Sequence, residues 1–172
     1  MLAGPILRNA IEYRQLVGAL MFLVNSRPDI CFAVSTLSQH MVEPRHSHWI
    51  GAKNLLRYLR GTITHGLRYT VGSMRLLGYT NADWAGNVED QKSIFECCFS
   101  LGFSSISWIC RKQKSVALST AKAEYIAASL ASCEAVWLRK LFSELFGFTL
   151  DTSVALCNNQ RWNSIIEESC IL

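Results

Sequence analysis

The hydrophobic period of the chain first changes, from helical to strand-like, at about residue 67. Before this point apolar residues recur every three to four positions in three segments, separated by Arg27-Pro28-Asp29 and by Pro44. After it they alternate with polar neighbours, first at Leu67 and Tyr69, as is typical of half-buried strands. This change excludes a uniform helical bundle and a uniform sheet, so we expect two architectures in succession.

The first third of the chain is predicted to form three helices. Pro28 suits the first turn of a helix and Asp29 favours its positive end, so this segment ends one helix and begins the next. Gly61 is expected to end the third helix with a left-handed cap. The predicted inward-facing residues are Leu16, Val17, Leu20, Leu23 and Val24; Ile30, Ala33, Val34, Leu37 and Met41; and Trp49, Ala52, Leu55, Leu56 and Leu59.

The remainder is predicted to alternate strands with a long helix. Strands are expected at 76–79, 95–103, 105–111 and 154–157, and helices at 121–146 and from about Trp162. Turns are expected at Gly72-Ser73, near Gly102 and at Lys112-Gln113-Lys114. The order predicts an α/β protein, with a small helical unit at 1–66 and a mixed-sheet domain at 67–172. The predicted inward face of the long helix is Ile126, Leu130, Cys133, Trp137, Leu138, Leu141 and Leu145.

Composition excludes several classes of protein. The net charge of +4 is too small for a histone-like polycation, and the basic excess lies in residues 1–70, with eight basic and three acidic side chains. No apolar run approaches the roughly 20 residues that cross a bilayer, so no membrane span is expected. Seven cysteines without a C-x-x-C pair indicate neither a disulfide framework nor a zinc site. His46 and His48 would form a metal pair only on a strand, and they begin a helical pattern, so no metal site is predicted there.

Seven short motifs occur in a fixed order along residues 11–160. They are Tyr13-Arg14-Gln15-Leu16-Val17-Gly18, Arg27-Pro28-Asp29-Ile30, LLRYLRG at 55–61, Ala82-Asp83-Trp84-Ala85-Gly86, Ile106-Ser107-Trp108, Lys112-Gln113 and Ala123-Glu124-Tyr125. Their order and spacing resemble the C-terminal part of a copia-type retrotransposon Pol polyprotein. The resemblance implies that residues 1–66 are similar to the end of a reverse transcriptase and its connection, and that residues from about 74 form a ribonuclease H-like domain.

The resemblance also implies a site. The family hydrolyses the RNA strand of an RNA/DNA hybrid with two Mg²⁺ ions, which are held by several carboxylates. Its first carboxylate lies in a Ser-Asp-Ala-Asp-Trp-Ala-Gly pattern, where this chain has Asn81. Glu124 matches the second carboxylate, and Asn158 replaces the third, which belongs to a Cys-Asp-Asn pattern. With two of three alignable carboxylates changed to Asn, we expect a degenerate site that retains no Mg²⁺ and no catalysis.

Asp83 is the one residue expected to rescue a weak single-metal site, because positions two apart on a strand share a face. It would be displaced from Asn81 by about 6–7 Å along the strand. The family's final carboxylate falls in a later segment, so the domain is expected to be truncated at the C-terminus. The paired Asp motif of the polymerase lies upstream of the matched region, so no polymerase activity is expected.

Lys53, Arg57, Arg60 and Arg68 are the candidate nucleic-acid-binding residues. If catalysis is lost, they are expected to contact phosphates and to bind an RNA/DNA hybrid weakly, in a salt-dependent way. The alternative is that these charges only solvate one face of a helix. On this interpretation the protein is an intracellular, non-catalytic retroelement relic.

A second resemblance leads to a different function. Arg57-Tyr58-Leu59-Arg60 resembles the R-x-L-R translocation motif of oomycete effectors, and residues 1–26 are similar to a signal peptide, with Arg8 and Arg14 before an apolar run at 16–24. This resemblance implies a protein that is secreted and enters plant host cells, where it would act on host proteins and modulate cell death or immunity. Both segments are already explained in another way, 57–60 as part of the helix that resembles the retroelement and 16–24 as a buried helix.

Overall fold

The computed structural model describes residues 4–69, 75–86, 90–147, 149–150 and 154–157. The chain divides into two units, Met1–Leu67 and Arg68–Leu172. We call them the helical unit and the α/β unit. The predicted α/β class, with a helical unit followed by a mixed sheet, is confirmed.

The helical unit contains three helices: α1 (Ala10–Leu23), α2 (Cys31–Ser38) and α3 (His46–Gly61). Asn9 caps α1 by accepting a hydrogen bond from the Glu12 amide, and a 3-10 turn at Pro28–Ile30 leads into α2. The Tyr13 hydroxyl donates a hydrogen bond of 2.7 Å to the Leu37 carbonyl, which joins α1 to α2. The buried core residues are Tyr13, Val17, Leu20, Ile30, Val34, Leu37, Ala52 and Leu55.

Two predictions for the helical unit are wrong in detail. Gly61 is the last helical residue and not a left-handed cap, because the chain leaves α3 at Thr62 with a φ of −123°. The Thr62 hydroxyl donates to the Tyr58 carbonyl at 2.9 Å, so the final turn is closed without a residue of positive φ. Leu56, predicted to face inward, is exposed because it lies beside the buried stripe of Ala52 and Leu55.

The α/β unit has a four-stranded sheet in the order β3-β2-β1-β4. Its strands are β1 (Leu76–Asp83), β2 (Ile94–Leu101), β3 (Ser104–Lys112) and β4 (Val154–Cys157), and its helix α4 spans Thr120–Phe146. The first three strands are antiparallel and β4 is parallel to β1, as expected for a mixed sheet. Gly102 has a φ of 59° in the β2–β3 turn, a conformation that favours glycine.

The strand pattern predicted to start at Leu67 does not form a strand. Residues 65–69 have no regular structure, and the first strand begins at Leu76. Alternation alone is not sufficient because a strand also needs a hydrogen-bonding partner, and residues 65–69 pair with none of the four strands. The predicted Gly72-Ser73 turn and the predicted helix from Trp162 lie outside the described residues.

Helix α4 buries a different face from the one predicted. Its buried residues are Ala123, Ala127, Ala131, Ala135 and Leu138. The last four pack on the side of the sheet that carries Phe95, Cys97 and Phe99. Of the predicted face only Leu138 is buried, while Trp137 is 54% exposed and Leu145 65% exposed. The aromatic rings of β2 fill the space between helix and sheet, so only small side chains fit beneath the helix. Gly147, with a φ of 70°, provides a left-handed cap at the end of α4.

None of the helices in the described ranges is long and apolar enough to cross a membrane. Cys97, Cys98 and Cys133 are thiols outside any disulfide.

Candidate functional site

The carboxyl end of β1 carries the first two candidate residues, Asn81 and Asp83. Residues alternate along this strand, with Gly78 and Thr80 buried on the side of α4 and Tyr79, Asn81 and Asp83 exposed on the other face. Asn81 and Asp83 therefore share a face, as predicted from the period of two.

The parallel pairing of β1 with β4 brings two carboxyl ends to one edge of the sheet. Cys157, the last residue of β4, is opposite Thr80, the residue before Asn81. In open α/β sheets, ligands bind beyond the carboxyl ends of strands, at points where neighbouring connections run in opposite directions. Asn158 lies outside the described residues, so its proposed match to the third carboxylate stays a prediction.

Glu124 lies in the second turn of α4, and a buried glutamine fixes this end of the helix. The Gln113 carboxamide donates a 2.9 Å hydrogen bond to the Ala123 carbonyl, and its backbone amide donates a 2.8 Å bond to Ser93. Gln113 is only 3% exposed, and its Oε1 has no hydrogen-bond partner. The Lys-Gln motif marked this position in the sequence, but sequence reasoning interpreted it only as a turn.

The carboxylate of Asp83 is held against its own turn. A Cβ added to Gly86 would collide with the Asp83 carboxylate, so the carboxylate would have to shift to admit a larger residue there. Ala85 has a φ of 52° in this turn, and the Trp84 indole donates a 3.1 Å hydrogen bond to the Ala117 carbonyl. This geometry gives Asp83 a structural role in ending β1. Its predicted role in a single-metal site remains a prediction.

Glu96 is a carboxylate near the site that sequence reasoning missed. It pairs directly with Asn81 across β1 and β2, so both lie on the same face of the sheet. The Cys110 thiol donates to Glu96 Oε1 at a separation of 3.6 Å. No motif marked Glu96, because only the strand register places it beside Asn81.

The described positions of the aligned site provide fewer carboxylates than two Mg²⁺ ions need. Magnesium prefers charged oxygen ligands, and two divalent ions in one site repel each other unless several carboxylates surround them. Of the three aligned positions, the described ones provide a neutral amide at Asn81 and one carboxylate at Glu124. Within the described ranges no three His, Cys, Asp or Glu residues are arranged to hold a metal ion.

A basic face lies on α3, and we define it as Lys53, Arg57 and Arg60. These residues are spaced by four and three positions, so they share one side of the helix, and all three are exposed. The Lys53 ammonium is 5.1 Å from the centre of the Trp49 ring, and the Arg57 guanidinium donates to Asn54 at 2.7 Å. Arg68, the fourth predicted residue, belongs to the α/β unit, where its backbone carbonyl accepts a hydrogen bond from Ser104.

The tetrapeptide Arg57-Tyr58-Leu59-Arg60 is helical and lies in the last turns of α3. Leu59 packs partly buried against the core of the helical unit. The Tyr58 hydroxyl donates a 2.9 Å hydrogen bond to Asp29. The segment that resembles R-x-L-R is therefore part of the folded unit.

The segment that resembles a signal peptide is also part of the core. Residues 10–23 form α1, and Tyr13 and Val17 on its inner face are completely buried, with Leu20 only 3% exposed. Cleavage after Ser26 would remove all three side chains from the helical unit.

Comparison with known proteins gives relatives of two lengths. The chain is 46% identical to the secreted RxLR effector protein 161 of Plasmopara viticola over 130 residues, which are 74% of this chain and 92% of that protein. It is 39% identical to the retrovirus-related Pol polyprotein from transposon RE2 of Arabidopsis thaliana over 158 residues, 91% of this chain and 11% of the polyprotein. It is 40% identical to that from transposon TNT 1-94 of Nicotiana tabacum over 151 residues, 87% of this chain and 11% of the polyprotein.

No family model and no solved structure matches the chain. The chain thus spans about a tenth of the Pol polyproteins it matches, and almost the whole of the effector-named protein. Both kinds of relative align with most of this sequence, which confirms the resemblance indicated by the seven motifs. Because its match to the transposon proteins extends through both units, the chain is homologous, over most of its own length, to a part of copia-type retrotransposon Pol polyproteins.

Proposed function

We propose that this protein is a non-catalytic, retrotransposon-derived protein with a ribonuclease H-like α/β unit, and that it binds nucleic acid weakly through the basic face of α3. The observation that carries the proposal is Asn81, a neutral amide at the carboxyl end of β1, where the resembled family has its first carboxylate. The oxygen of an amide has no formal charge with which to offset two divalent cations. Hydrolysis through a metal pair is therefore not expected.

Incubation of the full chain with an RNA/DNA hybrid and Mg²⁺ tests the loss of catalysis. The expected result is no Mg²⁺-dependent cleavage, with no difference between the natural chain and the Glu124→Gln variant. Cleavage by the natural chain that Glu124→Gln abolishes would contradict the proposal. Such cleavage would also assign a catalytic role to Glu124.

The distribution of charge supports binding to phosphates. Residues 44–82 contain six basic side chains and no acidic one, and the basic face of α3 lies within this segment. Lys53, Arg57 and Arg60 are exposed on one side of the helix. Such a surface attracts the phosphate backbone independently of base sequence and releases counterions on binding.

Titration of a labelled RNA/DNA hybrid at two salt concentrations tests this binding. If three phosphates are contacted, affinity is expected to fall about 40-fold between 50 and 200 mM salt. The triple variant Lys53→Gln, Arg57→Gln, Arg60→Gln should lose most of this dependence. Lys114→Gln, Lys122→Gln, Lys140→Gln removes the same charge from the α/β unit and is the matched control. Equal effects of the two triple variants would show that only net charge matters and would contradict a specific face.

A second candidate function is favoured by the relative that is named a secreted RxLR effector. We propose as the alternative that this chain is secreted and enters plant host cells, where it modulates cell death or immunity through host proteins. The N-terminal sequence of the protein made in cells separates the two functions. Cleavage after Ser26 with recovery from the medium supports the effector, and an intact chain retained inside cells supports the relic.

Removal of residues 1–26 gives a second test of the secreted interpretation, because these residues contribute to the core of the helical unit. Removal of residues 1–26 would take Tyr13, Val17 and Leu20 away from α2 and α3. We therefore expect a chain that starts at Arg27 to lose cooperative folding of the helical unit, which circular dichroism would detect as lost helix. A chain of residues 27–172 that retains α2 and α3 would favour the secreted interpretation.

A further inference from the structure

A buried arginine connects two parts of the helical unit that are distant in sequence. Arg27 is 7% exposed, and its guanidinium bonds to two acceptor residues. On one side its Nε and Nη2 donate to the two carboxylate oxygens of Asp29, at 2.9 and 2.7 Å. On the other side it donates to the hydroxyl and the carbonyl of Thr62, at 2.7 and 3.1 Å. The paired contact with Asp29 is a strong, directional form of ion pair.

Tyr58 completes a closed set of contacts with these residues. Its hydroxyl donates to Asp29 Oδ2 at 2.9 Å, and the Arg27 guanidinium lies 5.8 Å from the centre of its ring. The Thr62 hydroxyl in turn donates to the Tyr58 carbonyl at 2.9 Å. Asp29 thus receives hydrogen bonds from both sides, which hold its pKa at about 2, with the Arg27 contact as the largest cause.

These contacts join the entrance of α2 to the end of α3. Asp29 lies at the entrance to α2, whereas Tyr58 and Thr62 lie in and just after the last turn of α3. Helix ends otherwise fray, because their last carbonyls have no partner within the helix. Two of the three basic-face residues, Arg57 and Arg60, are on either side of Tyr58 in this turn.

We propose that Arg27, Asp29, Tyr58 and Thr62 form a clamp that keeps the last turn of α3 folded and thereby presents Arg57-Tyr58-Leu59-Arg60 as a helix. An extended form of the tetrapeptide needs the clamp to open. The clamp is inferred from these contacts and does not depend on the proposed function. Its effect on nucleic-acid binding, through the placement of Arg57 and Arg60, rests on the proposed function.

Limited digestion of the full chain with trypsin, which cuts after Arg and Lys, tests the clamp. Tyr58→Phe removes the hydroxyl group that donates a hydrogen bond to Asp29, and it keeps the aromatic ring. Cleavage after Arg57 and Arg60 is expected to accelerate at least about tenfold, the factor for loss of one hydrogen bond to a charged group. Tyr69→Phe, an exposed hydroxyl in the α/β unit, is the matched control and should leave the rates unchanged.

Cleavage after Arg14 in α1 separates local opening from unfolding of the whole unit. The clamp predicts little change there, and equal acceleration at Arg14, Arg57 and Arg60 would overturn it. Thr62→Val and Thr62→Ser form a second pair, because only serine retains the hydroxyl that contacts Arg27 and Tyr58. Acceleration by valine and near-natural rates with serine are expected, and equal rates for the two would also overturn the clamp.

Hybrid binding by the same variants links the clamp to the proposed function. Tyr58→Phe keeps all three basic side chains, so reduced affinity would show that their placement matters. If digestion accelerates while the natural chain shows no binding, the clamp is supported and the proposed function fails. If binding is present but digestion is unchanged, the clamp fails and the proposed function is retained.

Discussion

The helical unit is held by large side chains from three helices, whereas the α/β unit is held by a helix lined with alanine against a sheet that carries aromatic rings. In the first, Tyr13, Val17 and Leu20 of α1 pack with Ile30, Val34 and Leu37. In the second, the alanines of α4 at 127, 131 and 135 pack in a layer with Phe95 and Phe99. Bulk is shared among the elements of the helical unit and concentrated in β2 of the α/β unit.

This difference explains where hydrophobic periodicity predicts packing well and where it does not. Large apolar residues mark the inner face of a helix when its neighbours are helices of similar composition. They mislead when the opposite layer already supplies the volume, as Phe99 does beneath α4. Close packing then selects the smallest side chains for the contact. The large ones, such as Trp137 and Val136, are left exposed.

The contrast between the two cores is tested most directly at Phe99. Phe99→Ala removes the completely buried ring that the alanine stripe faces, and we expect it to lower the free energy of unfolding of the α/β unit by about 3–5 kcal/mol. Phe103→Ala, at a side chain 93% exposed, is the matched control and should change it little. Hydrogen exchange of the β1 and β2 amides in both variants measures the effect. Similar losses in the two variants would mean that the ring does not hold this layer.

Gly78 tests the same contact from the opposite side. A Cβ at Gly78 would lie 2.5 Å from Cε1 of Phe99, so Gly78→Ala should cost about 1–3 kcal/mol by overpacking. The double variant Gly78→Ala, Phe99→Leu replaces the ring by a smaller side chain and should recover part of this loss.

Gly61, at the end of α3, is the matched position in the helical unit. A Cβ added there would meet nothing within 4 Å, so Gly61→Ala should stabilise the helical unit by about 0.5–1 kcal/mol. Urea denaturation of each variant measures these changes, and equal signs at the two glycines would contradict the comparison.

In the helical unit a buried tyrosine hydroxyl joins α1 to α2. Tyr13→Phe removes the hydroxyl that donates to the Leu37 carbonyl, and we expect a loss of about 1 kcal/mol. Burial raises the pKa of Tyr13 to about 12, so the hydroxyl remains a donor at neutral pH. Hydrogen exchange in α1 and α2 is the measurement, with Tyr69→Phe as the control. No change in exchange would show that apolar packing alone joins these helices.

The smallest expected effect is the response of the helical unit to acid. Because the pKa of Asp29 falls from 3.8 in the unfolded chain to about 2, its contribution is fully present above 3.8 and is lost as the pH falls through about 2. About a third of the Asp29 side chain is exposed, so solvent screens the interaction. Acid titration followed by circular dichroism should show a weaker pH dependence in Asp29→Asn. An unchanged profile between pH 4 and 2 would exclude Asp29 as a source of acid sensitivity.

Prediction from sequence was most successful for local features. The three helices of the first unit, the β2–β3 turn at Gly102 and the length of α4 all follow from hydrophobic period and turn chemistry. The motifs also located Asn81 on β1 and Glu124 on α4, and the relatives confirm the family that those motifs indicated. These features depend on residues close together in the chain.

Features that depend on a partner element were missed. The short alternation at Leu67 and Tyr69 does not form a strand, and only the strand register shows that Glu96 faces Asn81. Gln113 was interpreted as a turn residue because its contact with Ala123 exists only after β3 and α4 have packed together. Local pattern carries no information on such pairs, since it does not specify which segments meet.

By itself, the sequence determined the kinds of element, the family, the neutral amide at position 81 and the long stretch of chain without acidic residues. These depend on the chemistry of each residue and on its near neighbours. Only the tertiary structure decided which face of α4 is buried and that Arg27 bonds to Thr62, 35 positions along the chain. Volume complementarity and long-range hydrogen bonds arise from the meeting of distant surfaces, so they exist only once the chain has folded.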